Sequence, residues 1–183
     1  LFVSSKQKSK PWMHVDQNSK NPIYSIQGAY NFKPVNKDDA GFILVPGSHT
    51  SVTETRHNKD WIVFDNQEIY LNKSVKLIIP ENCFILWNSK LIHSNTGLNV
   101  KKNEFNRLTA YITFLPKNLR SDDTLKQKIQ AYIQGKTTSH WANKCEVKQY
   151  PWGFKSTYEK RGYNTIKPTM IENKIPDDRL NLL

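Results

Sequence analysis

The stretch Trp12-Met-His-Val-Asp16 holds the first residues whose types and spacing suit catalysis. Side chains two apart on an extended strand project to the same face, so His14 and Asp16 converge while Met13 and Val15 point away. An imidazole and a carboxylate side by side are two metal ligands. A second imidazole completes one face of an octahedron and leaves three positions open, the arrangement of non-haem Fe(II) sites that take up both a cosubstrate and oxygen. His93 is the expected third ligand: it closes a β-rich run that begins at Leu86 and precedes a turn-prone stretch from Asn95 to Asn106. His49 is its rival, but Pro46-Gly-Ser-His49 reads as a turn ending a strand, which gives that histidine a structural role. His57 and His140 have weaker claims.

The run Arg107-Leu-Thr-Ala-Tyr-Ile-Thr-Phe114 alternates, with Arg107, Thr109, Tyr111 and Thr113 on one face and Leu108, Ala110, Ile112 and Phe114 on the other. In a barrel the polar face lines a site, and an arginine there offers a planar fork that matches a carboxylate through two charge-assisted hydrogen bonds. A dicarboxylate cosubstrate such as 2-oxoglutarate needs such an anchor, and Thr109 is placed to give a hydroxyl to the same carboxylate. Gln27, on the strand after His14 and Asp16, is a candidate to hydrogen-bond the cosubstrate or the substrate; its other reading is a packed barrel amide. Trp87 reads as core.

These residues must be positioned by strands. Up to about residue 118 the chain is a series of short β-type runs separated by turn residues: Trp12 to Asp16, Tyr24 to Phe32, Gly41 to Pro46, Ser74 to Ile79, Cys83 to Trp87 and Arg107 to Leu115. That spacing, with no long amphipathic helix among the runs, predicts a mainly β sandwich or jelly-roll barrel. A helix follows, capped by Ser121, with Asp122 and Asp123 in its first turn, an apolar face of Leu125, Ile129 and Ile133, and a stop at Gly135. We therefore expect a barrel domain with its following helix over 1–142 and a basic, aromatic tail over 143–183 lying on the barrel.

With 183 residues, the chain can bury the core of one ordinary domain. Cys83 and Cys145 stand far apart with no CxxC pairing, which argues against a zinc site or a disulfide scaffold and fits a reducing, intracellular, cytoplasmic setting. No apolar run approaches the ~20 residues of a membrane-spanning helix. The net charge of +11 is carried mostly by lysine and draws the protein towards anionic partners such as phosphates or nucleic acid. An AT-rich coding sequence enriches lysine, asparagine and isoleucine without any such partner.

Trp12-Met-His-Val-Asp-Gln17, Ile26-Gln-Gly28, Asp39-Ala-Gly-Phe-Ile-Leu-Val-Pro-Gly-Ser-His49, Leu86-Trp-Asn-Ser89 with His93, and Thr137-Thr-Ser-His-Trp141 together resemble the phytanoyl-CoA dioxygenase family, from about Pro11 to Trp141. The resemblance implies a double-stranded β-helix core that uses Fe(II), 2-oxoglutarate and O₂ to hydroxylate a small-molecule or acyl-type substrate. It implies His14, Asp16 and His93 as metal ligands and Arg107 as the cosubstrate anchor. In such proteins a supporting segment precedes the HxD strand; thirteen residues precede His14 here, so that segment is expected to be missing. Two alternatives stay open. One is a basic structural or binding protein, part of a larger assembly, that keeps the fold without turnover; the other is a metal enzyme of related fold that uses no 2-oxoglutarate.

Overall fold

The computed structural model describes residues 2–3, 11–51, 60–97, 107–134 and 136–148. The chain divides into two compact units, Leu1–Phe114 and Leu115–Leu183.

The first unit is built from two antiparallel sheets. In chain order its strands are β1 (Phe2–Val3), β2 (His14–Val15), β3 (Ile26–Asn31), β4 (Gly41–Leu44), β5 (Ile62–Val63), β6 (Val75–Lys76), β7 (Cys83–Asn88), β8 (His93–Thr96) and β9 (Leu108–Phe114). One sheet has the order β1-β9-β3-β7, the other β5-β2-β8-β4-β6. From β1 to β4, and again from β6 to β9, each successive strand lies in the opposite sheet. This is the winding of a double-stranded β-helix, with β5 added at an edge. Of the sandwich and the jelly roll that strand spacing allows, the jelly roll is therefore the observed fold.

Alternation along β2 and β4 divides the apolar residues between the two sides of the five-stranded sheet. Met13 and Val15 join Ile43, Val45, Ile62, Phe64 and Ile92 in one buried cluster. Tyr70 and Leu71 of the short helix α2 (Gln67–Asn72) pack against that cluster. Gln67 fastens the start of α2 to β2: its amide oxygen accepts from the Met13 N–H, and its amide nitrogen donates to the Met13 carbonyl at 3.1 Å. Phe42 belongs to the second cluster, with Ala29, Trp87 and Leu91. The row Phe84, Leu86, Ile112 and Phe114 on the four-stranded sheet is at least 40% exposed.

The expected strands are found, mostly with shorter ends. In this unit β1, β5 and β8 lie outside the runs read from the sequence, and Asn95, expected to begin a loop, lies within β8. Pro46 and Gly47 form the expected turn, with Gly47 at φ +72°, but it leads into a single helical turn, α1 (Ser48–Ser51).

In the second unit, a 3₁₀ turn (Lys117–Leu119) precedes α3 (Asp122–Ile133), and β10 (Thr137–Thr138) pairs with β11 (Val147–Lys148). The Ser121 hydroxyl accepts from the Thr124 N–H at 3.1 Å, as an N-cap should. The expected apolar face is only partly covered: Leu125 and Ile129 are half-buried, Ile133 is exposed, and the buried residue is Ala131. Gly135 and the tail over 149–183 lie outside the described residues. Among the described residues, no helix is long and apolar enough to cross a membrane, and Cys83 and Cys145 are free thiols.

Candidate metal centre

β2 is held between β5 and β8, so His14 stands opposite Val63 on one side and opposite His93 on the other. The two histidines thus become neighbours through strand register alone, with ring centroids 4.4 Å apart. Asp16 lies just past the end of β2, where its N–H donates to the Ser89 carbonyl at 3.1 Å. Potential ligand atoms of His14, Asp16 and His93 all lie within 4.8 Å of one another. His14 Nε2 is 3.7 Å from Asp16 Oδ1, and His93 Nε2 is 3.4 Å from Asp16 Oδ2. His49 is exposed on α1 and takes no part.

The ring orientations follow from the backbone. His14 Nδ1 lies 2.9 Å from the Trp12 carbonyl and His93 Nδ1 lies 2.9 Å from the Leu91 carbonyl. A carbonyl only accepts, so each Nδ1 carries the proton and donates, and each Nε2 is left with its lone pair directed at the centre. Burial alone would raise the pKa of Asp16. When the rings carry a second proton, on Nε2, that cost is outweighed by the hydrogen bond and charge of His93, the charge of His14 and the hydrogen bond from Gln27, and the carboxyl then sits well below the usual carboxylate range.

The donor set fits a divalent transition metal. Adjacent ligands on an octahedral ion with bonds of about 2.1 Å lie about 3 Å apart. The separations of 3.4 and 3.7 Å close to that value with small side-chain movements. Two neutral imidazoles and one carboxylate make the facial set associated with non-haem Fe(II).

Gln27 reaches this centre from β3. Its amide nitrogen donates to Asp16 Oδ2 at 2.8 Å, and its amide oxygen accepts from the Trp87 indole N–H at 2.7 Å. Both ends of the amide are thus engaged by protein groups.

Arg107 is only 1% exposed and belongs to a second cluster. Its Nε donates to the Thr109 hydroxyl at 3.1 Å, Nη1 to Asn95 Oδ1 at 2.9 Å, and Nη2 to the Tyr111 hydroxyl at 2.9 Å. Thr109 in turn donates to Asn31 Oδ1 at 3.1 Å. Asn95 follows His93 by two residues on β8 and shares its face, about 7 Å along the strand. Through Asn95 the arginine cluster is tied to the strand that carries His93. The sequence reading passed over Asn95, Tyr111 as an arginine partner, and the Trp12–Trp61 pair beside His14. Strand parity from His93 and from His14 points to Asn95 and Trp12, once both segments are read as strands.

Around the centre, Phe42 and Trp87 are buried with ring centroids 5.3 and 5.5 Å from that of His93.

No family model and no curated protein matches the chain. Among solved structures it is similar to the crystal structure of the epimerase SnoN in complex with Fe3+, alpha ketoglutarate and nogalamycin RO, with 15% identity, a TM-score of 0.45, and coverage of 61% of this chain and 44% of that one. The chain thus spans less than half the length of that structure.

Proposed function

We propose that the chain is an Fe(II)- and 2-oxoglutarate-dependent dioxygenase that hydroxylates an organic substrate. The observation that carries this reading is the His14, Asp16 and His93 set, in which both histidines are buried and each turns Nδ1 to a backbone carbonyl and Nε2 to the Asp16 carboxylate. Bound there, Fe(II) with 2-oxoglutarate supplies the oxidation: O₂ and the keto acid are consumed, succinate and CO₂ leave, and a substrate C–H becomes C–OH.

The chain's own residues do the rest. His14 and His93 offer neutral imidazoles, and Asp16 offers the one anionic donor, with Gln27 fixing its second oxygen. Arg107 binds the distal carboxylate of the keto acid, its guanidinium plane fixed by Thr109, Asn95 and Tyr111. Phe42 and Trp87 exclude water on the His93 side.

The test is anaerobic titration of the purified chain with Fe(II) and 2-oxoglutarate. A visible charge-transfer band should appear, oxygen should bleach it, and succinate should form above an Asp16→Ala control. Arg107→Ala should keep iron binding but lose about 30-fold to several hundredfold in 2-oxoglutarate affinity, the cost of a buried bidentate ion pair. If wild type forms no band and yields no more succinate than Asp16→Ala, the reading of the chain as a non-catalytic binding protein replaces this one.

A further inference from the structure

We propose that Trp12 and Trp61 form the substrate platform of this centre and that the group they receive is a planar aromatic ring, an inference that rests on the metal-centre reading above. Trp12 precedes His14 by two residues and shares its face. The pairings His14 with Val63 and Val15 with Ile62 put Trp61 on that face as well, beside Asp16, at the edge of the five-stranded sheet. The indole of Trp12 stacks on the His14 ring, with centroids 4.2 Å apart and planes within 10°. Trp61 meets Trp12 edge-on at 5.9 Å and 64°, and its ring centre is 6.4 Å from that of His14.

Exposure separates the two sides of the centre. Against His93, Phe42 and Trp87 are packed away from solvent, whereas Trp12 and Trp61 beside His14 are 47% and 53% exposed. A substrate approaching the ligands from the solvent side meets indoles first. Two indoles set at a steep angle offer a flat ring a face to stack on and an edge to meet, both at the 4.5–7 Å spacing that aromatic quadrupoles favour. A flexible aliphatic chain gains no quadrupole term there and loses rotamer freedom on being held.

The experiment follows the five tryptophan indole N–H signals of the full chain by NMR, titrating 2-naphthylmethanol against its fully saturated decalin analogue, which has the same skeleton and hydroxyl but no aromatic face. The Trp12 and Trp61 signals, assigned with single-site variants, should move with the naphthyl probe and respond far less to the decalin. Trp61→Leu should weaken naphthyl binding by roughly two- to tenfold, and Trp61→Phe should restore most of it. Mn(II) affinity should be unchanged in both variants, because Trp61 offers no ligand atom. Equal binding of the two probes, or shifts confined to other tryptophans, would overturn the platform. Naphthyl binding at Trp12 and Trp61 in a chain that fails to bind Mn(II) would uphold the platform and sink the metal-centre reading instead.

Discussion

Gln27 shows how one side chain can orient a candidate metal ligand while offering no ligand of its own to the group. The indole N–H of Trp87 polarises and orients the Gln27 amide, which then donates to Asp16 Oδ2 and leaves Oδ1 turned towards His14. Such outer hydrogen bonds set ligand direction, and their loss costs about 10- to 100-fold in metal affinity. Gln27→Leu preserves bulk but removes the donor, so Mn(II) affinity, measured by calorimetry, should fall by about that factor. Trp87→Phe should lower it by less. If Trp87 works through Gln27, adding Trp87→Phe to Gln27→Leu should cost nothing further; simple addition of the two losses would show that the relay does not operate. The sequence placed Gln27 near the site through its strand and offered the cosubstrate or the substrate as its partner, with a packed barrel amide as the other reading. The hydrogen bond from Gln27 to Asp16 arises because β3 faces β2 across the barrel, a relation that no local pattern encodes.

At the level of elements, glycine in a strand separates packing that can yield from packing that cannot. A Cβ on Gly41 at the start of β4 would lie 2.8 Å from Val35 Cγ1 and 2.9 Å from Lys76 Cε. Val35 is fully buried, and Lys76 is tied through its ammonium to the carbonyls of Lys37 and Asp39. A Cβ on Gly28 in β3 would approach Phe84 Cζ at 2.6 Å and Leu86 Cδ2 at 2.9 Å, but those side chains are 40% and 58% exposed and free to swing outward. Gly41→Ala should therefore cost about 1–3 kcal/mol as overpacking, and Gly28→Ala less than about 1 kcal/mol, since it also gains from the lower entropy of the unfolded chain. Urea denaturation midpoints decide this, and equal losses would refute it. The same contrast between local and long-range causes explains which strands could be read. β9 announces itself by alternation. β8, His93-Ser-Asn-Thr96, carries no apolar residue, yet His93 is 4% exposed and Ser94 0% because β2 and β4 cover them on either side. Its strand character comes from its neighbours, and with it the place of Asn95 was hidden. β5 is two residues long and exists only because β2 offers it an edge.

For the whole molecule, two bulk properties can be tested without knowing the substrate. The net charge of +11 predicts weak, non-specific nucleic-acid binding that fades steeply as salt releases counterions from phosphate; tight, sequence-selective binding at physiological salt would give the charge a purpose beyond composition. The second property is the linkage between metal and fold. His93 is distant along the chain from His14 and Asp16 and is brought to them by strand pairing, so the unfolded chain has no comparable site. A metal that binds only the folded form adds about 2.7 kcal/mol of stability at a concentration one hundred times its Kd. For a chain of this size each kcal/mol moves the melting midpoint by about 2–4 °C, so saturating Mn(II) should raise it by roughly 5–10 °C. Asp16→Ala should abolish the shift, because the remaining imidazoles lack the anionic donor. Arg107→Ala should leave it intact, since the guanidinium offers no ligand atom. A shift that survives in Asp16→Ala would mean that the ion binds elsewhere on the surface. A shift lost in Arg107→Ala would mean that Arg107, through its hydrogen bond to Asn95, holds β8 and His93 in place, and the proposal of that arginine as a cosubstrate anchor would have to be revised.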